Sequence, residues 1–164
     1  MIKFIVFFVL SFFSIGVLAE TKGEERPHLS SPIIVFVSFS MPDASLKQWM
    51  RQAELIQAPV VVRGLIHNSF KETIQKMAAL TRDNHGGVQL DPTLFRRFQI
   101  KQVPAVVVWK ESGCLSNQSC IENYNVIYGD VELSFALQKI AGQNDDLSEI
   151  AQKALAILHE EHHG

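Results

Sequence analysis

The chain has 164 residues, with 15 Lys and Arg against 17 Asp and Glu and a 47% share of apolar side chains. No basic stripe or arginine-rich run occurs, which argues against nucleic acid as a partner. The apolar share suffices for a packed core, and the length fits one domain behind a short leader.

Lys3 supplies a positive start, and Phe4 to Val17 is an almost unbroken apolar run. Val17-Leu18-Ala19 then places compact residues at the cleavage positions, ahead of polar chain from Glu20. This is the layout of a secretory signal peptide cut after Ala19. The competing reading is an uncleaved anchor, but its apolar run is short against the about 20 residues that span a bilayer. No later run is long enough to cross a membrane. Removal of residues 1–19 leaves 14 basic and 17 acidic side chains. Residues 20–31 are polar and read as a flexible linker, 32–142 as the folded domain, and 143–164 as a C-terminal helix and tail.

Ile33 to Phe39 is a short, nearly continuous apolar run, as in a strand buried on both faces. Leu46, Trp49, Met50, Ala53 and Ile56 recur at helical spacing behind it. Pro59 opens a second buried strand, Val60-Val61-Val62, running on to Gly64-Leu65. Ser69-x-x-Glu72 is a capping-box pattern. It starts a helix whose expected core face is Phe70, Ile74, Met77 and Ala78, and which Asn84 and Gly86-Gly87 end. Asp91-Pro92 reads as an N-cap with proline at the first helical position, burying Leu94, Phe95 and Phe98. Val103-Pro104 introduces a strand from Ala105 to Trp109, with Asn125 to Tyr128 returning antiparallel. Two helices close the chain, the first on Leu133, Ala136, Leu137 and Ile140. The second covers about Asp145 to Glu161 and presents Leu147, Ile150, Ala151, Ala154 and Leu158. Strands that alternate with helices should be parallel, giving an α/β fold with a mixed sheet covered on both faces.

Cys114 and Cys120 are the only cysteines. In an exported chain such a pair reads as a disulfide rather than as metal ligands or free thiols. Closing so short a loop stabilises by roughly 2–3 kcal/mol. His159, His162 and His163 could share a helical face, with Glu160 and Glu161 beside them. A solvated terminus is the plainer reading, and no metal or cofactor is expected. Trp49 and Trp109 sit in apolar patterns and read as core. Arg96-Arg97 reads as the solvated side of a short helix, with a partner contact as the sharper option.

The element order and two local patterns resemble a thioredoxin-like fold. A buried strand runs into Ser40-Met41-Pro42-Asp43 at a helix start, where redox relatives carry Cys-x-Pro-Cys. Phe95-x-x-Phe98-x-Ile100-x-x-Val103-Pro104 stands where that superfamily keeps a cis-proline. The helix from Ser69 to Asn84 resembles the insertion of periplasmic Dsb-type proteins ahead of the cis-proline, and the C-terminal helix is a further addition. More closely, Phe36-Val37-Ser38-Phe39-Ser40-Met41-Pro42, Pro59 to Leu65, Asn68 to Glu72, Asp91 to Phe95 and Val103 to Val108 resemble the TrbC family of type-F conjugative transfer systems. The resemblance implies a periplasmic protein needed to assemble the conjugative pilus, acting with another periplasmic transfer protein, TraW, to which some relatives are fused. Pilin-related chains are further possible partners.

At Ser40 and Asp43 the cysteine pair of the redox relatives is missing. A serine hydroxyl titrates too high for thiolate chemistry. Ser40 is therefore expected to cap the helix and Asp43 to favour its positive end. Val103-Pro104 is expected to be cis on the resemblance. It either shapes the sheet edge or leaves the Val103 backbone free to pair with an extended peptide. A non-enzymatic assembly factor with a partner groove at Ser40, Met41, Pro42, Val103 and Pro104 is the leading expectation. The alternative is a thiol-disulfide oxidoreductase or isomerase using Cys114 and Cys120.

Overall fold

The computed structural model describes residues 31–82, 87–111, 122–143 and 145–161. The leader and its cleavage site, most of the linker, Asn84 and Gly86, both cysteines, and His162 and His163 lie outside these residues.

Five strands form one mixed sheet: β1 (Ile33–Val37), β2 (Val60–Val62), β3 (Val88–Leu90), β4 (Ala105–Glu111) and β5 (Glu122–Tyr128), in the spatial order β3-β2-β1-β4-β5. The helices are α1 (Asp43–Leu55), α2 (Phe70–Thr81), α3 (Pro92–Arg97), α4 (Leu133–Ala141) and α5 (Asp146–Glu161). β1 pairs parallel with β2 and antiparallel with β4, β2 parallel with β3, and β4 antiparallel with β5. The result is the expected α/β fold, a mixed sheet flanked by helices and consistent with a thioredoxin-like arrangement. α2 stands ahead of the proline segment, α5 follows at the C-terminal end, and Val103-Pro104 is cis.

Because side chains alternate across a strand, the sheet divides two cores. Ile33, Val35, Val37, Val60, Val62, Val106 and Val108 face one side, against α1, α4, α5 and Leu80 of α2. Ile34, Phe36, Val61, Ala105, Val107 and Trp109 face the other, against Leu94, Phe95, Phe98 and Ile100. Phe36 meets Phe95 edge-on at a centroid distance of 4.8 Å, a geometry worth about 0.5–1.5 kcal/mol beyond area burial. Both tryptophans are buried, and each indole N–H is satisfied. Trp49 Nε1 donates to Asp130 Oδ1 at 3.1 Å, and Trp109 Nε1 to the Ser31 carbonyl at 2.9 Å.

The caps follow the sequence in part. Asp91 Oδ1 accepts from the N–H groups of Thr93 (2.7 Å) and Leu94 (3.2 Å), with Pro92 opening α3. Asp145 Oδ1 accepts from Leu147 and Ser148 at the start of α5. Ser69 caps α2 by accepting from the Glu72 N–H. The Glu72 carboxylate does not complete the capping box, because it meets His67 Nδ1 at 3.0 Å instead.

Three expectations are corrected. β3 follows Gly87 as an edge strand beyond the strands expected from the sequence. β1 and β2 end at Val37 and Val62, so Ser38–Phe39 and Arg63–Leu65 are turns rather than strand. The buried residues of α2 are Thr73 and Leu80, with Met77 partly buried against the core, while Phe70 and Ile74 are 67% and 47% exposed and Ala78 is also exposed. Thr73 explains the rotation. Its Oγ1 donates to the Ser69 carbonyl and accepts from the Ile66 N–H at 2.9 Å, tying that face of the helix to the preceding turn.

The orientation of α2 is checked by urea unfolding. Leu80→Ala should destabilise by about 2–5 kcal/mol, and Ile74→Ser by no more than about 0.5 kcal/mol.

Candidate functional site

β1 and β2 run the same way and stop at the same end of the sheet, with Val37 opposite Val62. β4 runs the other way and begins there, with Ala105 opposite Phe36. The turns after β1 and β2 and the segment before β4 therefore converge. Between them lies a groove of about 470 Å³, walled by Val37–Ser40, Val62–His67, Phe95 and Ile100–Val103.

The first wall is a tight reversal. The hydroxyls of Ser38 and Ser40 share a hydrogen bond of 2.9 Å, and Ser38 Oγ also accepts from the Ser40 N–H at 3.2 Å. The Met41 N–H donates to the Ser38 carbonyl. Ser40 does not cap α1. The N-cap is Pro42, which makes no side-chain cap bond. The hydroxyl of Ser40 is held back toward Ser38 instead, which is why the capping expectation fails. Asp43 does lie in the first turn of α1, where a negative charge is favoured, and its Oδ1 accepts from Lys76 Nζ of α2.

The second wall carries a fixed cation. Arg63 Nη2 donates to the Ile100 carbonyl at 2.7 Å, and its guanidinium carbon stands 5.0 Å from the Phe95 ring centroid. Further on, His67 adopts φ 46° and Asn68 φ 58° in the turn before α2. The third wall ends at Val103. Among the described residues, no hydrogen bond engages its N–H or C=O, whereas the next carbonyl, that of Pro104, accepts from the Gly129 N–H at 3.0 Å.

Of the five residues singled out in the sequence, Ser40 and Val103 line this groove. Met41 packs with Phe39 against the main core, Pro42 is exposed at the start of α1, and Pro104 is buried. Sequence reasoning gave no role to Arg63, Leu65, Ile66, His67 or Lys101, which make up much of the lining. The usable signal was topological: in α/β sheets, ligand sites gather beyond the carboxyl ends of parallel strands. Arg96 is exposed, while Arg97 stacks its guanidinium over Phe98 and Trp109 at 5.6 and 5.2 Å. Among the described residues no cluster of three or more His, Cys, Asp or Glu is placed to hold a metal, and no helix is long and apolar enough to cross a membrane.

The family model for type-F conjugative transfer system pilin assembly proteins, TrbC, matches residues 35–140. The chain belongs to this TrbC family. It is 34% identical over 113 residues to the periplasmic protein TrbC of Escherichia coli K12, covering 68% of this chain and 49% of that relative. The chain thus spans about half the length of the curated relative it matches. No solved structure matches it. Every groove-lining residue lies inside the TrbC match, whereas α5 lies beyond it.

Proposed function

We propose that this TrbC-family protein is a periplasmic assembly factor for a type-F conjugative pilus, and that it acts by holding an extended segment of another transfer protein in the groove. The observation that carries this reading is the Val103 backbone, which no described residue engages, set at the end of a largely apolar groove. A free N–H and C=O beside a sheet strand suit main-chain pairing, with side-chain pockets setting preference. The partner is a TraW-like periplasmic transfer protein, with pilin or other assembly components as further clients.

The same reading makes the protein a binder rather than an enzyme. A redox role would need thiols at the groove, and Ser40 and Asp43 occupy the positions that hold them in redox relatives. Cys114 and Cys120 then form a structural bridge, and residues 1–19 act as the signal for export to the periplasm and are removed after Ala19. Intact mass of periplasmic material checks both points: a chain starting at Glu20 and lighter by two hydrogens is expected, and two alkylatable thiols would contradict the bridge.

Leu65 is half-buried and lines the groove, so Leu65→Asn should weaken partner capture from periplasmic extract by about tenfold or more, since burying a leucine is worth about 1.5–3 kcal/mol. Pilus output should fall with it, while the melting temperature stays near wild type. Ile157→Asn, on an exposed position of α5 outside the family match, should leave capture unchanged. The reverse pattern would place the partner on α5. Replacing Cys114 and Cys120 together by serine should leave assembly intact. Loss of assembly in a still-folded variant would favour the thiol-disulfide enzyme.

A further inference from the structure

The groove has a one-sided charge. Among the described residues its ionisable lining groups are Arg63, His67 and Lys101, with no Asp or Glu. Glu72, Asp91 and Asp43, on segments that adjoin the lining, are already committed. The Glu72 carboxylate is bonded to His67 at the rim, and Asp91, whose N–H donates to the Val62 carbonyl, turns its Oδ1 into the α3 cap. Asp43 is bonded to Lys76.

Among the described residues, Arg63 and Lys101 thus have no counter-charge. The partners of Arg63 are a neutral carbonyl and a ring face, which orient the guanidinium without cancelling it. One of its five N–H donors is used, and the rest remain for a ligand. A planar fork held in place loses little freedom on meeting a carboxylate. Lys101 is exposed and has no partner among the described residues, so it adds a second, mobile cation next to the Ile100 carbonyl that anchors Arg63.

We infer that the segment held in this groove carries an acidic side chain, Asp or Glu, between apolar neighbours. The inference rests on the groove being the partner site. The apolar neighbours follow from the rest of the lining: Val37, Phe39, Leu65, Ile66 and Ile100 offer contacts that polar residues would not repay. The acid follows from Arg63 and Lys101. Pairing to both the N–H and the C=O of Val103 needs main chain on each side, so the acid is an internal residue rather than a chain end. A positively charged segment would face the two cations Arg63 and Lys101, which gives the groove selectivity as well as attraction.

The test uses the purified full chain and three short fluorescent peptides of alternating apolar residues and threonine, differing only in a central Glu, Gln or Lys. Fluorescence anisotropy should show the Glu peptide binding about fivefold or more tightly than the Gln peptide, with the Lys peptide weakest. Added salt should narrow the gap. Lys101→Gln touches no contact among the described residues and should narrow the gap between the Glu and Gln peptides by weakening the Glu peptide more. Arg63→Gln, verified as folded by its melting curve, should remove the remainder. Equal binding of the Glu and Gln peptides to the wild type, both lost in Leu65→Asn, would overturn the acidic preference and leave the groove reading standing. A preference that survives both charge variants would overturn it too. Binding of none of the peptides would overturn both readings.

Discussion

The pairing of β1 is the constraint on which the molecule depends. Its five residues, Ile33–Val37, are at most 3% exposed, and they hydrogen-bond to β2 on one side and β4 on the other. A strand buried on both faces has no polar face to turn outward, so register is fixed: a slip by one residue would exchange the two cores. With that register set, parallel β2 must end where β1 ends, and antiparallel β4 must begin there. The groove is the space left where those three segments leave the sheet. It needs no dedicated element of its own.

The two cores contribute unequally to that space. Four helices supply side chains to one face of the sheet, whereas the other is covered by the short α3 and the residues just after it. The thinner side is stiffened by aromatic contacts. Phe98 lies 6.2 Å from Phe36, 6.1 Å from Trp109 and 5.3 Å from Tyr124, centroid to centroid. Phe95 belongs to the same cluster and also forms the platform for Arg63. A core residue thereby sets the position of the groove's principal charge. Packing on the α3 side and recognition in the groove are one piece of construction.

The long apolar runs were legible because strands buried on both faces leave a continuous pattern, as at Ile33–Val37 and Ala105–Trp109. Asp91-Pro92 was legible because cap and first-turn chemistry are local. α4 and α5 were legible because each has a single apolar stripe. β3 was not, since Val-Gln-Leu carries no periodicity in so short a run and pairs only at the sheet edge. The face of α2 was misread because hydrophobicity favoured Phe70 and Ile74, while a hydroxyl, Thr73, decided the rotation through two hydrogen bonds. Ser40 was misread for a related reason: composition identifies a capping residue, but the neighbouring Ser38 competes for its hydroxyl. Most of the groove lay hidden because Arg63 and Leu65 are far from Lys101 in sequence. Only the sheet brings them together.

The central claim is that the end of the sheet formed by β1, β2 and β4 is where this TrbC-family protein meets its partner. Amide hydrogen exchange on the chain, alone and in complex with the transfer protein captured from the periplasm, tests it most directly. The account predicts new protection at Ser38–Ser40, Gly64–His67 and Lys101–Val103, with α5 unchanged. Protection confined to α5, or to the exposed Phe70 and Ile74 side of α2, with the groove amides exchanging as in the free protein, would contradict it.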